Sequence, residues 1–136
     1  MLVKNQFMQF IGIHHVAIIC SDYVRSKQFY TCTLGFRILA ETYREVRCSY
    51  KLDLQLPDGS QLELFSFPKA PPRPSYPEAC GLRHLAFAVT DIEGCIKALK
   101  SKGVPIEAIR VDALTGKRFT FFADPDGLPL EIYEVY

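Results

Sequence analysis

An internal repeat constrains this chain of 136 residues more than any other feature of its sequence. Segment 12–22 reads GIHHVAIICSD and segment 81–91 reads GLRHLAFAVTD, so that Gly, His, Ala and Asp recur at one constant offset. A second pair of segments, PDGSQLELF at 57–65 and PDGLPLEIY at 125–133, recurs at an offset one residue smaller. Each half of the chain therefore carries one early histidine and one late glutamate.

The first half, residues 12–67, has the pattern of a βαβββ module. Residues 12–20 are apolar on both faces, as in a buried strand, and Ser21 or Asp22 then supplies a helix N-cap. Gly35 is placed to end this helix. Three further strands are expected at 36–43, 46–56 and 61–67.

The second half repeats this pattern after a proline-rich connector. Residues 68–79 contain prolines at a density that excludes a helix or a central strand and predicts an extended segment. In residues 80–136 a helix is expected between Asp91 and Gly103. Strands are expected at 83–90, 105–111, 117–123 and 128–135. A module of about 60 residues buries a marginal core alone. We therefore expect one α+β domain over 1–136, with the modules related by a pseudo-twofold axis.

Composition narrows the class of protein. Hydrophobic residues make up 49% of the chain and the formal charge is +1, with basic residues scattered, so nucleic acid and membranes are not expected as partners. The five cysteines include no Cys-x-x-Cys pair, which argues against a disulfide framework and favours a cytoplasmic location. The apolar N-terminus lacks a following cleavage site and is not read as a signal peptide.

The repeated residues suggest a metal centre. A pseudo-twofold axis can bring equivalent positions together, and the candidate ligands are His15, Glu63, His84 and Glu131. Two imidazoles and two carboxylates suit a borderline divalent cation, and a carboxylate inside an apolar strand is costly unless it is paired or metal-bound. Because successive side chains of a strand point to opposite faces, His14 is predicted to point away from the face that carries His15. Two alternatives remain: a duplicated structural salt-bridge pattern, and a site whose metal has been lost.

The repeated βαβββ halves, the His-x-Ala strands and the Asp-Pro-Asp-Gly-x-x-x-Glu ending resemble the vicinal oxygen chelate superfamily. Within it, the chain looks like the metal-dependent members related to glyoxalase I, lactoylglutathione lyase. The resemblance begins near residue 12. It implies an eight-stranded, incompletely closed, barrel-like sheet around one divalent ion, zinc or nickel first, with manganese, cobalt or iron as alternatives. It also implies a homodimer, and the sequence leaves open whether the centre forms within one chain or across two.

The resemblance further implies a reaction. Having Glu63 and Glu131 together favours isomerisation of a thiohemiacetal or α-hydroxycarbonyl substrate through a metal-stabilised enediolate, with Glu131 as principal base and Glu63 as its partner. Ile19 and Phe67 occupy positions where glyoxalase I has glutathione-binding side chains.

Two other functions stay open: a thiol transferase of the fosfomycin-resistance type and a non-catalytic small-molecule-binding protein. The basic residues available for an anionic substrate are Arg73, Arg83, Lys117 and Arg118, of which the last two are favoured.

Overall fold

The computed structural model describes residues 10–136, and its first module forms one four-stranded sheet. The strands are β1 (His15–Cys20), β2 (Arg37–Arg44), β3 (Ser49–Gln55) and β4 (Gln61–Ser66). They lie in the order β1-β4-β3-β2, with β1 parallel to β4 and the other neighbours antiparallel. Helix α1 (Tyr23–Gln28) follows β1 and continues into a π-helical segment, Phe29–Thr33. Asp22 caps α1 by accepting a hydrogen bond from the backbone N–H of Arg25.

The second module repeats this arrangement in its own sheet. Its strands are β5 (Leu85–Val89), β6 (Arg110–Val111), β7 (Arg118–Ala123) and β8 (Pro129–Glu134), in the order β5-β8-β7-β6. Helix α2 (Ile92–Ser101) is capped by Asp91, whose side chain accepts from the N–H of Gly94. The predicted α+β class with tandem βαβββ modules is confirmed, and the eight strands form two mixed sheets rather than a closed barrel.

Several predicted strands are shorter than expected: the first begins at His15 rather than at residue 12, and two others are shortened for identifiable reasons. The strand predicted from residue 46 begins at Ser49, because Glu45–Arg47 forms a 3-10 turn that ends at Cys48 in the left-handed region, φ 44°. The strand predicted over 105–111 is reduced to two residues. The Thr120 hydroxyl donates to the carbonyls of Glu107 and Ala108, so these groups bond a side chain instead of a strand ladder.

The core lies on one face of each sheet. In the middle of β3 and β4, buried leucines at 52, 54, 62 and 64 alternate with the partly exposed Asp53 and Glu63. Both modules contribute to one hydrophobic cluster, which includes Leu54, Leu64, Tyr30, Leu130 and Ile132. The opposite face of each sheet is therefore left open, and the repeated histidines and glutamates belong to these open faces.

Hydrogen bonds also join the two modules. The hydroxyl of Tyr30, which is fully buried, donates to Asp124 Oδ2 at 2.8 Å. Asp124 Oδ1 in turn accepts from the backbone N–H groups of Asp126 and Leu128, which closes the Asp-Pro-Asp-Gly turn. The backbone N–H of Ser21 donates to Asp126 Oδ2 at 3.0 Å. The turn before β8 is thus tied to the start of α1.

An ion pair between Arg118 of β7 and Glu134 of β8 makes part of the folding stability depend on pH. Arg118 donates two hydrogen bonds to the Glu134 carboxylate, of 2.7 and 2.8 Å. These bonds hold the pKa of this carboxyl below its ordinary value of 4.5. A depressed pKa contributes stability above the unfolded-state value, and this contribution is lost as the pH falls through the folded-state pKa. We expect Glu134→Gln to lower the free energy of unfolding at neutral pH, with the difference from wild type shrinking below about pH 4. Urea unfolding across pH measures this, and a constant difference would contradict it.

In the part of the chain that the structure describes, no helix has the length and apolar character needed to cross a membrane. The prediction that the N-terminus is not a signal peptide concerns mainly residues 1–9, which lie outside the described residues.

Candidate metal centre

The first half-site lies on the open face of the first sheet. Strand β1 begins with His15, and β4, its parallel neighbour, places Glu63 beside Ala17. His15 Nε2 lies 3.1 Å from Glu63 Oε2. The small side chain of Ala17 leaves space beside this pair. The exposed fraction of the side chain is 38% for His15 and 12% for Glu63, so the imidazole is accessible while the carboxylate is nearly enclosed.

The second half-site repeats this geometry on the second sheet. His84 directly precedes β5, and β8 places Glu131 beside Ala86. His84 Nε2 lies 3.0 Å from Glu131 Oε2. The duplication therefore preserves the spatial pairing of histidine with glutamate as well as the residue types. We define the first half-site as His15 with Glu63, and the second half-site as His84 with Glu131.

The donor sets fit a divalent cation. Two ligand atoms that lie at right angles around an ion, each at about 2.1 Å, are about 3.0 Å apart. The measured N to O separations, 3.1 and 3.0 Å, match this spacing. They are also the lengths of ordinary hydrogen bonds, so each pair is held together without an ion and presents one nitrogen and one oxygen donor in a suitable arrangement.

The two half-sites do not form one cluster within a chain. Among residues 10–136, no three side chains of His, Cys, Asp or Glu are grouped closely enough to hold a metal ion. Each half-site sits on the open face of its own sheet, while the opposite faces share the core. Within the described residues, each half-site therefore offers two of the four predicted ligands.

Lys51 makes the half-sites unequal. Its Nζ lies 2.9 Å from Glu63 Oε1 and 3.0 Å from Asp53 Oδ1, and these carboxylates raise the pKa of the lysine. Both oxygens of Glu63 are thus engaged, one by Lys51 and one by His15. In the described part of the chain, Glu131 is paired through Oε2 alone, with His84. Strand alternation in β3 indicates only that Lys51 and Asp53 lie on the face opposite the buried leucines, and the contact with Glu63 was not predicted.

The second ring nitrogen of each histidine is also engaged. His15 Nδ1 lies 2.8 Å from His14 Nδ1, so the prediction that His14 points to the opposite face is wrong. The reason is that β1 begins at His15, and strand alternation does not extend to the residue before it. His84 Nδ1 lies 3.3 Å from Arg83 Nη1. Contacts to Nδ1 orient each ring so that Nε2 faces its glutamate.

The favoured basic residue Arg118 is not at the centre. It pairs with Glu134 and with Glu93 of α2, on the face of the sheet opposite Glu131. Arg73 and Arg83, in contrast, line a cavity that also includes His84. Among the described residues, no hydrogen bond or ion pair joins the Lys117 side chain to either half-site.

Aromatic side chains lie on the same sheets as both half-sites, and the sequence patterns assigned them no role. The ring of Phe121 meets that of His84 edge to face at 5.2 Å, and Phe119 stacks on Tyr133 at 6.3 Å. On the first sheet, Phe65 stacks on Phe67 at 6.2 Å. Because Phe121 pairs with Glu131 across the strands, it shares the open face with the second half-site.

These features define a class of protein. The family model of the Glyoxalase/Bleomycin resistance protein/Dioxygenase superfamily matches residues 12–132, and the chain belongs to this superfamily. It is 61% identical to the uncharacterized protein YwkD of Bacillus subtilis (strain 168), over 90% of this chain and 96% of that protein. The crystal structure of the glyoxalase family protein from Enterococcus faecalis matches with a TM-score of 0.87 and 53% identity, over 93% of this chain and all of that one.

A more distant relative has a named activity. The 2-epi-5-epi-valiolone epimerase of an Actinomyces species is 27% identical, over 90% of this chain and 78% of that protein.

Proposed function

We propose that this protein is a metal-dependent enzyme of the glyoxalase type, which moves a proton between adjacent carbons of an α-hydroxycarbonyl or thiohemiacetal substrate. The observation that carries the proposal is the duplicated pair of His Nε2 and Glu Oε2 atoms, 3.1 and 3.0 Å apart. The ligands would be His15, Glu63, His84 and Glu131. Zinc or nickel suits this donor set, and manganese, cobalt or iron is also compatible with it.

The proposed active form is a homodimer. In it, the open face of the first sheet of one copy meets the open face of the second sheet of the other, so that a first and a second half-site complete each other. A twofold axis makes two such centres per dimer. The partly exposed apolar side chains around the half-sites support this contact, among them Ile19, which is 56% exposed.

His15, Glu63, His84 and Glu131 would hold the divalent ion, which when bound would supply a Lewis acid to stabilise the negative charge that develops on the substrate oxygens. The protein supplies the base. Glu131 takes the proton from one carbon of the substrate and returns it to the neighbouring carbon, while the hydroxyl proton moves to the former carbonyl oxygen, so the product is an isomer and no other reactant is needed. Glu131 is the better base of the two glutamates because its Oε1 has no partner among residues 10–136, whereas both oxygens of Glu63 are held. Only 8% of Glu131 is exposed, which limits competition from water.

Glutathione is not the favoured thiol. Ile19 and Phe67 stand at positions where a polar side chain would be needed to recognise it, and Phe67 is stacked on Phe65 instead. A second candidate function is epimerisation, which the distant epimerase relative favours. Epimerisation shares the abstraction of a proton beside a carbonyl and differs in returning the proton to the same carbon.

The proposal is tested by turnover on a panel of substrates. Metal-stripped protein reloaded with zinc, nickel, cobalt, manganese or iron would be assayed on hemithioacetals of several thiols and on α-hydroxyketones. We expect turnover that requires metal, and proton exchange with deuterated solvent at the carbon beside the carbonyl, whether isomerisation or epimerisation follows. If no metal stimulates turnover or exchange on any member of the panel, the enzyme proposal fails.

A further inference from the structure

A cavity of about 590 Å³ opens beside the second half-site. It lies between the connector that contains Arg73 and Tyr76 and the second sheet, which contributes Arg110 and Phe121, and His84 forms part of its wall. This volume suits a small metabolite rather than a macromolecule. Because His84 belongs to both the cavity and the half-site, a molecule in the cavity can extend to the proposed metal centre.

Within the described residues, Arg73 forms no ion pair with a carboxylate. Its Nε donates to Ser75 Oγ at 3.0 Å, and its Nη2 donates to the carbonyl oxygens of Leu82 and Arg83. All three acceptors are neutral, and Nη1 bonds to none of the described residues. A half-buried guanidinium that is fixed in place and lacks a counter-ion is a ready anchor for an anionic ligand.

The other two arginines of the cavity are paired. Arg83 Nε lies 2.6 Å from Glu78 Oε1, and Arg110 Nη2 lies 2.9 Å from Glu107 Oε2. The cavity wall thus contains three guanidinium groups and two carboxylates, so that positive charge is in excess. Apolar neighbours such as Ile106 and Phe121 reduce the screening of the remaining positive charge by water.

We propose that this cavity binds the anionic group of a small acid, a carboxylate or a phosphate, with Arg73 as its anchor. If the proposed function holds, the substrate is an α-hydroxycarbonyl acid or a hemithioacetal of an acidic thiol. This part of the inference rests on the proposed function. The reacting oxygens lie at the metal centre and the anionic group lies in the cavity. A neutral sugar or cyclitol would leave the charge of Arg73 unmatched.

The test measures binding to the full-length, metal-free protein by calorimetry. Three probes share a three-carbon skeleton: glycerol 3-phosphate, glycerate and neutral glycerol. We expect one or both anions to bind and glycerol not to bind, and the better anion identifies the group. Arg73→Gln should weaken anion binding at least about tenfold, Arg73→Lys should weaken it less, and Arg47→Gln, outside the cavity, should leave it unchanged. Circular dichroism checks that each variant is folded.

Equal binding of glycerol and the anions, or no binding of either anion, would overturn the inference, and this comparison needs only the wild-type protein. Unchanged anion binding by folded Arg73→Gln would overturn the role of Arg73. Because the protein is metal-free, the two proposals fail separately. Anion binding without metal-dependent turnover would contradict the proposed function alone, and turnover restricted to neutral substrates, without anion binding, would contradict the cavity proposal alone.

Discussion

Replacement of Glu131 by glutamine is expected to reduce metal-dependent turnover by about 100-fold or more, because a positioned general base contributes about that much. Glutamine keeps the size of the side chain and an oxygen that can bind a metal, but it cannot accept the substrate proton. The measurement is kcat on the best substrate of the panel, with bound metal determined on the same sample by elemental analysis. Normalising turnover to bound metal separates the loss of a base from the loss of a ligand.

Glu63→Gln is the matched control, since it makes the same chemical change at the equivalent position. Lys51 already holds Glu63 Oε1, at 2.9 Å, so this carboxylate is the less available base. We expect Glu63→Gln to lower metal affinity while keeping more turnover per bound metal than Glu131→Gln does. Wild-type turnover per metal in Glu131→Gln, or a greater loss in Glu63→Gln, would contradict the assignment of Glu131 as principal base.

Local sequence patterns were sufficient to predict most of the fold. The repeat predicted two modules of one topology, and the caps at Asp22 and Asp91 are confirmed by hydrogen bonds to Arg25 and Gly94. These features depend on short-range chemistry, namely strand alternation and the capping of free N–H groups. The pairing of each histidine with the glutamate of its own module, which was not predicted, follows from β1 lying parallel to β4 and β5 parallel to β8.

Other features depend on tertiary contacts that local patterns do not encode. The strand expected near residue 105 is short because Thr120 captures two of its carbonyls. The contact of Lys51 with Glu63 depends on the conformation of a long side chain across a strand pair. The burial of one face of each sheet in a shared core, which turns the two half-sites onto separate open faces, depends on how the modules pack.

The proposal of a centre shared between two copies is tested most directly by mixing two variants. One carries His15→Ala with Glu63→Gln, and the other carries His84→Ala with Glu131→Gln. Each variant alone lacks one half-site in every chain and is expected to bind no stoichiometric divalent metal. In a heterodimer, the intact second half-site of the first variant meets the intact first half-site of the other variant.

With random pairing, about half of the dimers are mixed, and each mixed dimer has one complete centre out of two. Refolding the variants together should therefore restore about a quarter of the wild-type bound metal and turnover. Mass spectrometry of the intact dimers gives the fraction of mixed dimers, and elemental analysis gives the bound metal. Recovery in proportion to the mixed dimers is the predicted result. Mixed dimers that bind no metal, or full metal binding by either variant alone, would contradict a centre shared between two copies.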